Sequence, residues 1–473
     1  MNAKPRAIFT NDAECDDMNS FVHLLLYAND IDIEGLVLSS SVFHYAGDKS
    51  AGLEPYRWAG DAWMWEYLDA YEKVYPNLRV HDGAYPTPEY LRSVTCVGNV
   101  ASVGCMDEDT DASMLIRERI LADDPRPLWL LAGGGTNTIA AALRSLEDEW
   151  RDTPDWDELY RSVCAKARIY MIITQDDSYR DYIVKSWPDL PLLHCTSLAG
   201  VGFLYDEKTC TPEQLHMFRG DWMWPNILSK GALMAKYHSW GDGHVYPGEE
   251  EQNQFGSNLE LMAGKWWGKV AHERYDMISE GDSPSFLHLV DKGLRQLENP
   301  SFGGWGGRFE RRTDNEFDPR AAYWTNAKDE APAPIESTAY QFTRWAPDWL
   351  RDFAARASWC VTDNFADANH APRLSVREGL DFVATPGETL ELHAEGSDPD
   401  GDELAYSWFR YADADSCEAS VSLEASGAVC RLRVPDQARR GDSIHLVCRV
   451  TDGGAGDKSL ALAAYARVIV SVR

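Results

Sequence analysis

The chain has 473 residues, of which 44% are hydrophobic and 11% aromatic, enough for a large core plus a second domain. Its formal charge of -31 excludes the basic footprint that holds nucleic acid phosphates, and fits neutral sugars, cations or basic partners better. No apolar run is long enough to span a membrane, so no membrane partner is expected.

Pro5 to Phe9 reads as a first strand, and it runs directly into Thr10-Asn11-Asp12-Ala13-Glu14-Cys15-Asp16-Asp17. Four carboxylates so close together repel one another unless a cation or strong donors neutralise them. Met18 to Ala28 has apolar residues at helical spacing, and Ile33 to Ser39 is an apolar run of strand length. A strand, acidic loop, helix and strand in that order open a parallel α/β sheet, whose ligands bind outside the carboxyl ends of the strands.

Between Tyr45 and Met106, Trp58, Trp63, Trp65, Tyr67, Tyr71 and Tyr75 crowd an expected helix. They either cover a sheet edge or wall a sugar site. Ala112 to Ala122 is expected to be helical, and Pro127 to Ala132 a buried strand ending in Gly133-Gly134-Gly135-Thr136-Asn137, before a helix from Thr138 to Leu146. The glycines let the backbone approach a ligand, but the Lys-Ser/Thr ending of a phosphate loop is missing. Arg168 to Thr174 is a third strand, delivering Gln175, Asp176, Asp177 and Ser178 to the same edge; helix capping by Asp177 or Ser178 is the competing explanation. Tyr182 to Trp187 reads as a helix and Pro191 to Cys195 as a strand.

Gly220 to Lys269 is loop-rich and polar, with His238, Asp242, His244 and Glu249 to Glu251, a pattern of lids and of surface excursions alike. Asp282 and Ser283 precede Pro284 at the start of a helix expected to reach Leu294, where either residue would serve as a cap. Asn299 to Arg308 is a glycine-rich loop, and Ala346 to Ser358 a closing helix.

The fold class is therefore α/β, a mostly parallel sheet flanked by helices over residues 1–365, followed by a small all-β sandwich over residues 366–473. Its strands are expected at Thr389 to Ala394, Ala405 to Tyr411, Ala428 to Val434, Ser443 to Thr451 and Ala463 to Val472. Alternation puts Tyr406 and Trp408 on one face, where a core tryptophan is the common outcome, so the domain is read as a packing domain rather than a flat sugar-binding surface. The ten cysteines lack metal-ligand spacing; buried thiols are the expected state, with Cys96–Cys105 or a pair from Cys417, Cys430 and Cys448 as possible bridges. The first residues lack a signal-peptide pattern, so the chain is expected in the cytoplasm, or outside it if a signal has been trimmed.

Asp12-Ala13-Glu14-Cys15-Asp16-Asp17 resembles the Asp-x-x-x-Asp-Asp core of the nucleoside hydrolase signature, placed as in that family after the first strand. Gly134-Gly135-Thr136-Asn137-Thr138-Ile139-Ala140 is similar to the family's Gly-x-Thr-Asn-x-Ala segment with one extra residue, and Asp282 resembles its late aspartate. The layout, with Leu68 to Leu78, Glu280 to Phe286 and Gly303 to Phe309, is similar to a bacterial family that joins a nucleoside-hydrolase-like domain to an immunoglobulin-like one, some of whose members carry a cellulose-binding label.

The resemblance implies a Ca²⁺ cofactor held by Asp12, Asp17, the Thr136 carbonyl and Asp282, with Asp12 also the general base and Asp16 binding sugar hydroxyls. Asn137, Gln175, Asp176 and His244 are expected to complete the substrate site. The family's opening Asp-Thr-Asp-Pro-Gly is Thr10-Asn11-Asp12-Ala13-Glu14 here, so an aspartate is lost and a carboxylate stands for a glycine. The histidine that precedes the late aspartate is Gly281, which leaves Glu280, His238 or His244 as the acid. The implied activity is cleavage of a furanosyl bond, ribosyl-type or related and N- or O-linked, with a carbohydrate or nucleoside as the partner and homo-oligomers left open. The rival readings are a non-catalytic carbohydrate-binding protein on this scaffold, and a structural domain whose carboxylates only cap helices.

Overall fold

A computed structural model describes residues 3–196, 205–245, 248, 259 and 272–473. The first domain is built on an eight-stranded sheet: β1 (Arg6–Asn11), β2 (Asp32–Leu38), β3 (Thr95–Val97), β4 (Leu128–Ala132), β5 (Ala167–Ile172), β6 (Leu192–Cys195), β7 (Phe309–Arg312) and β8 (Tyr323–Asn326), in the order β3-β2-β1-β4-β5-β6-β8-β7. All are parallel except β7, which runs antiparallel to β8 at the edge. The central strands are buried on both faces, which is why they read as unbroken apolar runs. The edge strand β7 reads otherwise: only Phe309 is buried, and Glu310, Arg311 and Arg312 face solvent, so no strand pattern appears in the sequence.

Helices cover both faces. Helix α1 (Cys15–Leu26), α2 (Ala62–His81) and α5 (Ala346–Trp359) share one core, while α3 (Asp111–Leu121) and α4 (Asn137–Trp150) pack on the other side. Every residue of α1 is buried, because sheet and helices enclose it. The aromatic residues of α2 pack helix against helix: the Phe21 ring meets Trp63 at 5.3 Å and Tyr67 at 6.2 Å, both edge-on. From β1 the chain moves outward to β2 and β3, then returns to place β4 on the other side of β1. That reversal opens a crevice at the carboxyl ends of β1 and β4, the place where open α/β sheets bind ligands.

Some expected elements shift. The helix at Asp282 spans only Ser283–Leu287, since the Gln296 side-chain amide donates to the carbonyls of His288 (3.0 Å) and Val290 (3.1 Å) and ends it there. The loop-rich segment contains short helical turns at Gly220–Met223, Trp224–Leu228 and Gly231–Met234. Glu249 to Glu251 lie outside the described residues.

The second domain is a sandwich of two four-stranded sheets. One contains β10 (Asp381–Ala384), β16 (Ala463–Val472), β15 (Ser443–Thr451) and β12 (Ala405–Arg410); the other contains β13 (Ser422–Ser426), β14 (Val429–Arg433), β11 (Thr389–Ser397) and β9 (Arg373–Val376). Tyr406 and Trp408 pack into the sandwich, as alternation requires. The opposite face contributes Tyr411, Val447, Ala463 and Tyr465 to the core of the first domain. Polar contacts rim this junction: the Tyr411 hydroxyl donates to Asp329 at 2.6 Å, Arg344 pairs with Asp329 at 2.9 Å, and Arg449 and Tyr465 both donate to Asp348. All ten cysteines are free thiols, so neither proposed bridge is formed.

Candidate functional site

The acidic stretch is half turn and half helix. Asp12 follows β1, Ala13 takes a left-handed conformation (φ 72°), Glu14 is the N-cap of α1, and Cys15, Asp16 and Asp17 form its first turn. The helix N-terminus favours negative charge there. The Glu14 side chain makes no capping hydrogen bond, so capping does not explain it. Asp17 Oδ1 accepts the Asp12 N–H at 3.0 Å, and Asp12 Oδ1 accepts the Glu14 N–H at 3.3 Å. Asp282 reaches the same place from the far end of the chain. It stands at the N-cap of Ser283–Leu287 yet makes no capping bond either, and shares a hydrogen bond with the Asp17 carboxyl.

The glycines after β4 make this convergence possible. A Cβ on Gly133 would fall 2.8 Å from Asp282 Cγ, and one on Gly134 would fall 2.8 Å from Asp12 Cβ. Any side chain in either position collides with a carboxylate-bearing residue.

The electrostatics are those of a site that lacks counter-charge. Burial raises Asp16 and Asp17 well above the usual carboxylate range, and neighbouring carboxylates add to it: Glu14, Asp282 and Asp12 for Asp16, and Asp12, Asp282 and Asp16 for Asp17. Asp282 is pushed up to about 8 by burial, with the Asp17 hydrogen bond working against the shift and the charges of Asp12 and Glu14 adding to it. Asp12 Oδ2, Asp16 Oδ1 and Asp282 Oδ2 are buried with no hydrogen-bond donor. Buried carboxyl oxygens without donors are costly, and a hard divalent cation is the ligand such oxygens can hold.

The other expected site residues separate into two groups. Gln175 stays at the site: its amide nitrogen donates to the Gly133 and Ile172 carbonyls, and its Oε1 is buried without a donor. Asp176 and Asn137 are instead internal clips. The Asp176 carboxylate accepts from Asn137 N (3.0 Å), Thr136 Oγ1 (3.2 Å) and Ser178 N and Oγ (3.0 and 2.7 Å), which pins the start of α4. The Asn137 side chain is fully buried between Ser39, Ser40 and the carbonyls of Asn99 and Cys105. Both are thus tied to the protein's own backbone and hydroxyls at the edge of the site. The Thr136 carbonyl accepts the helix bond from Ala140 N at 2.8 Å, leaving one lone pair for a cation.

Glu280 sits within an internal hydrogen-bond network. Its carboxylate is wholly buried and held by His23 Nδ1 and the Ser283 hydroxyl, both at 2.6 Å, and by the Tyr237 hydroxyl. His244 lies flat against His238, with ring centroids 3.6 Å apart, and burial, with His238 beside it, pushes it down to about 4. His238 Nδ1 lies 3.0 Å from Asp242 Oδ2, and its carbonyl accepts from Asn19 of α1, one turn beyond the carboxylates. Asp177 turns outward to an ion pair with Arg180 at 2.9 Å.

Two further residues join the site from the loop after β2. Ligand atoms of Asp12, Glu14 and His44 lie within 4.8 Å of one another, and Arg57 lies 3.3 Å from Glu14. Val42, Phe43 and Tyr56, 45%, 36% and 46% exposed, place an apolar surface on the same loop. The strand-end rule that selected Asp12 and Thr136 applies equally to the end of β2 and could have found His44. A groove of about 650 Å³ at the β3 edge, lined by Thr95, Cys96, Asp111, Leu115 and Arg117, contains none of these groups.

Residues 6–309 match the family model described as "Cellulose-binding Sde182, nucleoside hydrolase-like domain", and residues 389–472 match "Cellulose-binding protein Sde0182, C-terminal domain". No curated protein matches the chain. A nucleoside hydrolase-related protein from Saccharophagus degradans, described as associated with carbohydrate metabolism, is 27% identical over 100% of both chains with a TM-score of 0.75. The type III effector XopQ, solved with adenosine diphosphate ribose, is 10% identical over 76% of this chain and 96% of its own, at a TM-score of 0.36 too low to support any inference. The first match, running through both domains, and the crevice built at β1 and β4 agree: the chain belongs to the Sde182 family of nucleoside hydrolase-like proteins with a second, all-β C-terminal domain.

Proposed function

We propose that the protein is a glycoside hydrolase that cleaves a furanosyl bond, ribosyl-type or related and N- or O-linked, at the carboxylate crevice. The observation that carries this reading is the set of three donor-free, buried carboxyl oxygens on Asp12, Asp16 and Asp282 at the topological switch point of a nucleoside hydrolase-like fold. The set fits Ca²⁺, since every donor is a hard oxygen. Asp12, Asp17, Asp282 and the second lone pair of the Thr136 carbonyl would hold it. When bound, the cation lowers the pKa of water and orients vicinal hydroxyls.

The protein residues supply the remainder. Asp12 Oδ2, without a donor of its own, accepts the proton of the attacking water. Asp16 Oδ1 accepts from sugar hydroxyls, and the carboxylates together stabilise the positive charge that develops on the ring in an oxocarbenium-like transition state. The apolar surface of Val42, Phe43 and Tyr56 receives the less polar face of the ring. With Glu280 engaged, the Asp242-paired His238 is the residue left to protonate the leaving group.

The test is a screen of chromogenic ribofuranosides and arabinofuranosides together with nucleosides, run with and without Ca²⁺. Turnover that falls by about 10³-fold or more in Asp12→Asn is expected. A second reading, a carbohydrate-binding protein without catalysis, draws on the internal engagement of Glu280 and on Gly281 in place of a histidine. The carbohydrate associations of the similar proteins suit either. Glycan binding in the absence of turnover across the screen would decide for the second.

A further inference from the structure

The carboxylates fall into two groups able to hold a metal ion, and one residue belongs to both. Ligand atoms of Asp12, Glu14 and His44 lie within 4.8 Å of one another, and those of Glu14, Asp16 and Asp17 meet the same limit. We infer that Glu14, together with Asp12, bridges two divalent cations: the cation of the preceding section, on the Asp17 and Asp282 side of the cluster, and a second held by Asp12, Glu14 and His44. The inference extends the cation site of the preceding section but does not depend on any reaction there.

Three observations support a second ion. The first is that each group contains a buried carboxyl oxygen with no donor: Asp12 Oδ2 on one side, with Asp12 wholly buried, and Asp16 Oδ1 on the other, with Asp16 6% exposed. Each of the two groups thus has a buried oxygen free to take a ligand.

The second is charge. Asp12, Glu14, Asp16, Asp17 and Asp282 bring five negative charges when ionised, against which Arg57 stands 3.3 Å from Glu14. With one divalent cation the site keeps an excess of two negative charges in a buried place. A second divalent cation removes it.

The third is the donor set and its support. His44 adds an imidazole nitrogen to two carboxylates, a mixture that suits Mn²⁺ or Zn²⁺, whereas Ca²⁺ takes oxygen alone. His44 is held in a short turn in which the Ser41 N–H donates to the His44 carbonyl at 2.9 Å and the Phe43 N–H to the Ser41 hydroxyl at 2.8 Å. The next residue, Tyr45, exchanges both backbone hydrogen bonds with Tyr56, at 3.1 and 3.0 Å, which brings Arg57 to Glu14 on the same loop. The loop is thus fixed at both of its contacts with the carboxylates. Glu14, which stands where the fold family has glycine, gains a role in this arrangement.

The test is metal stoichiometry of the full chain, stripped with chelator and titrated with Mn²⁺ by calorimetry, with the bound ion followed by electron paramagnetic resonance. Wild type is expected to take two equivalents per chain and to show the exchange-coupled signal of paired ions, roughly 3.5–4 Å apart as in other two-metal sites. His44→Ala is expected to lose one equivalent, or to weaken it at least tenfold, while the other equivalent and its displacement by Ca²⁺ persist. Glu14→Gly is expected to abolish the coupled signal. One equivalent or none in wild type overturns the inference without any variant, and so do two unweakened equivalents in His44→Ala. The outcomes separate from those of the hydrolase reading: turnover with one equivalent refutes only the second ion, and two equivalents without turnover refute only the hydrolase.

Discussion

Gly134 has no side chain at a point where a Cβ would lie 2.8 Å from the Asp12 Cβ and 3.1 Å from its backbone nitrogen. Backbone cannot retreat as a flexible side chain would, so Gly134→Ala should push Asp12 off its position. We expect cation affinity to fall by roughly 10- to 100-fold, measured by calorimetry, with a loss of about 1–3 kcal/mol in stability. Strain at the same edge points the same way. Ala13 (φ 72°), two residues after β1, and Ile173 (φ 46°), directly after β5, are left-handed residues, and a β-branched side chain such as that of Ile173 adopts that conformation only when its surroundings force it. These are residue-scale features that composition and periodicity do not encode. Asp12 and Asp17 were singled out because clustered charge is unusual wherever it occurs, whereas Asp282, a plausible helix cap, was singled out only through the family resemblance. His44 was not, because a single histidine in an irregular loop carries no periodic signal.

At the scale of elements, α1 shows how a polar network can be structural while lying beside a candidate active site. His23 on α1 pairs with Glu280, which also accepts from Ser283 and Tyr237, so three separate segments meet at one buried carboxylate. Glu280→Ala leaves these partners unsatisfied, and should cost about 3–5 kcal/mol in denaturant unfolding while leaving cation binding intact. Loss of cation binding with unchanged stability would restore Glu280 to the site. The parallel strands and their helices were legible because burial on both faces writes continuous apolar runs and helical spacing into the sequence. The edge strand β7 and its neighbour β8 were missed for the converse reason: β7 buries one residue in four, and β8 is half-exposed throughout. The helix after Asp282 was overestimated because its end is set by Gln296, a side chain nine residues beyond Leu287 in sequence.

At the scale of the whole molecule, stability should depend on acid. Burial pushes His288 down to about 3, and neither ring nitrogen has a hydrogen-bond partner. The unfolded chain then binds a proton below about 6.5 that the folded chain refuses until pH falls to about 3, so stability declines as pH falls through that window. The slope from this group is at most about 1.4 kcal/mol per pH unit. Unfolding of His288→Leu should show a correspondingly flatter dependence between pH 6 and pH 4 (roughly the middle of that window). The junction between domains should be equally measurable: Asp329→Ala removes the acceptor shared by Arg308, Arg344 and Tyr411. A loss of about 3–5 kcal/mol is expected, with both domains still unfolding in one transition; two resolved transitions in the wild type would contradict a shared core.

That shared core has a consequence for synthesis of the chain. Tyr411, Val447, Ala463 and Tyr465 complete an apolar core begun by α1 and α5, yet they leave the ribosome well after both helices. Until they arrive, Trp345, Phe342 and Trp349 have no cover on that side. At roughly 5–20 residues per second, the interval between finishing α5 and finishing β16 lasts several seconds, and an unfinished apolar surface is exposed to other nascent chains throughout it. The second domain thus acts as the closing piece of the first, and a frameshift or stop within β16 should be felt as misfolding of both domains.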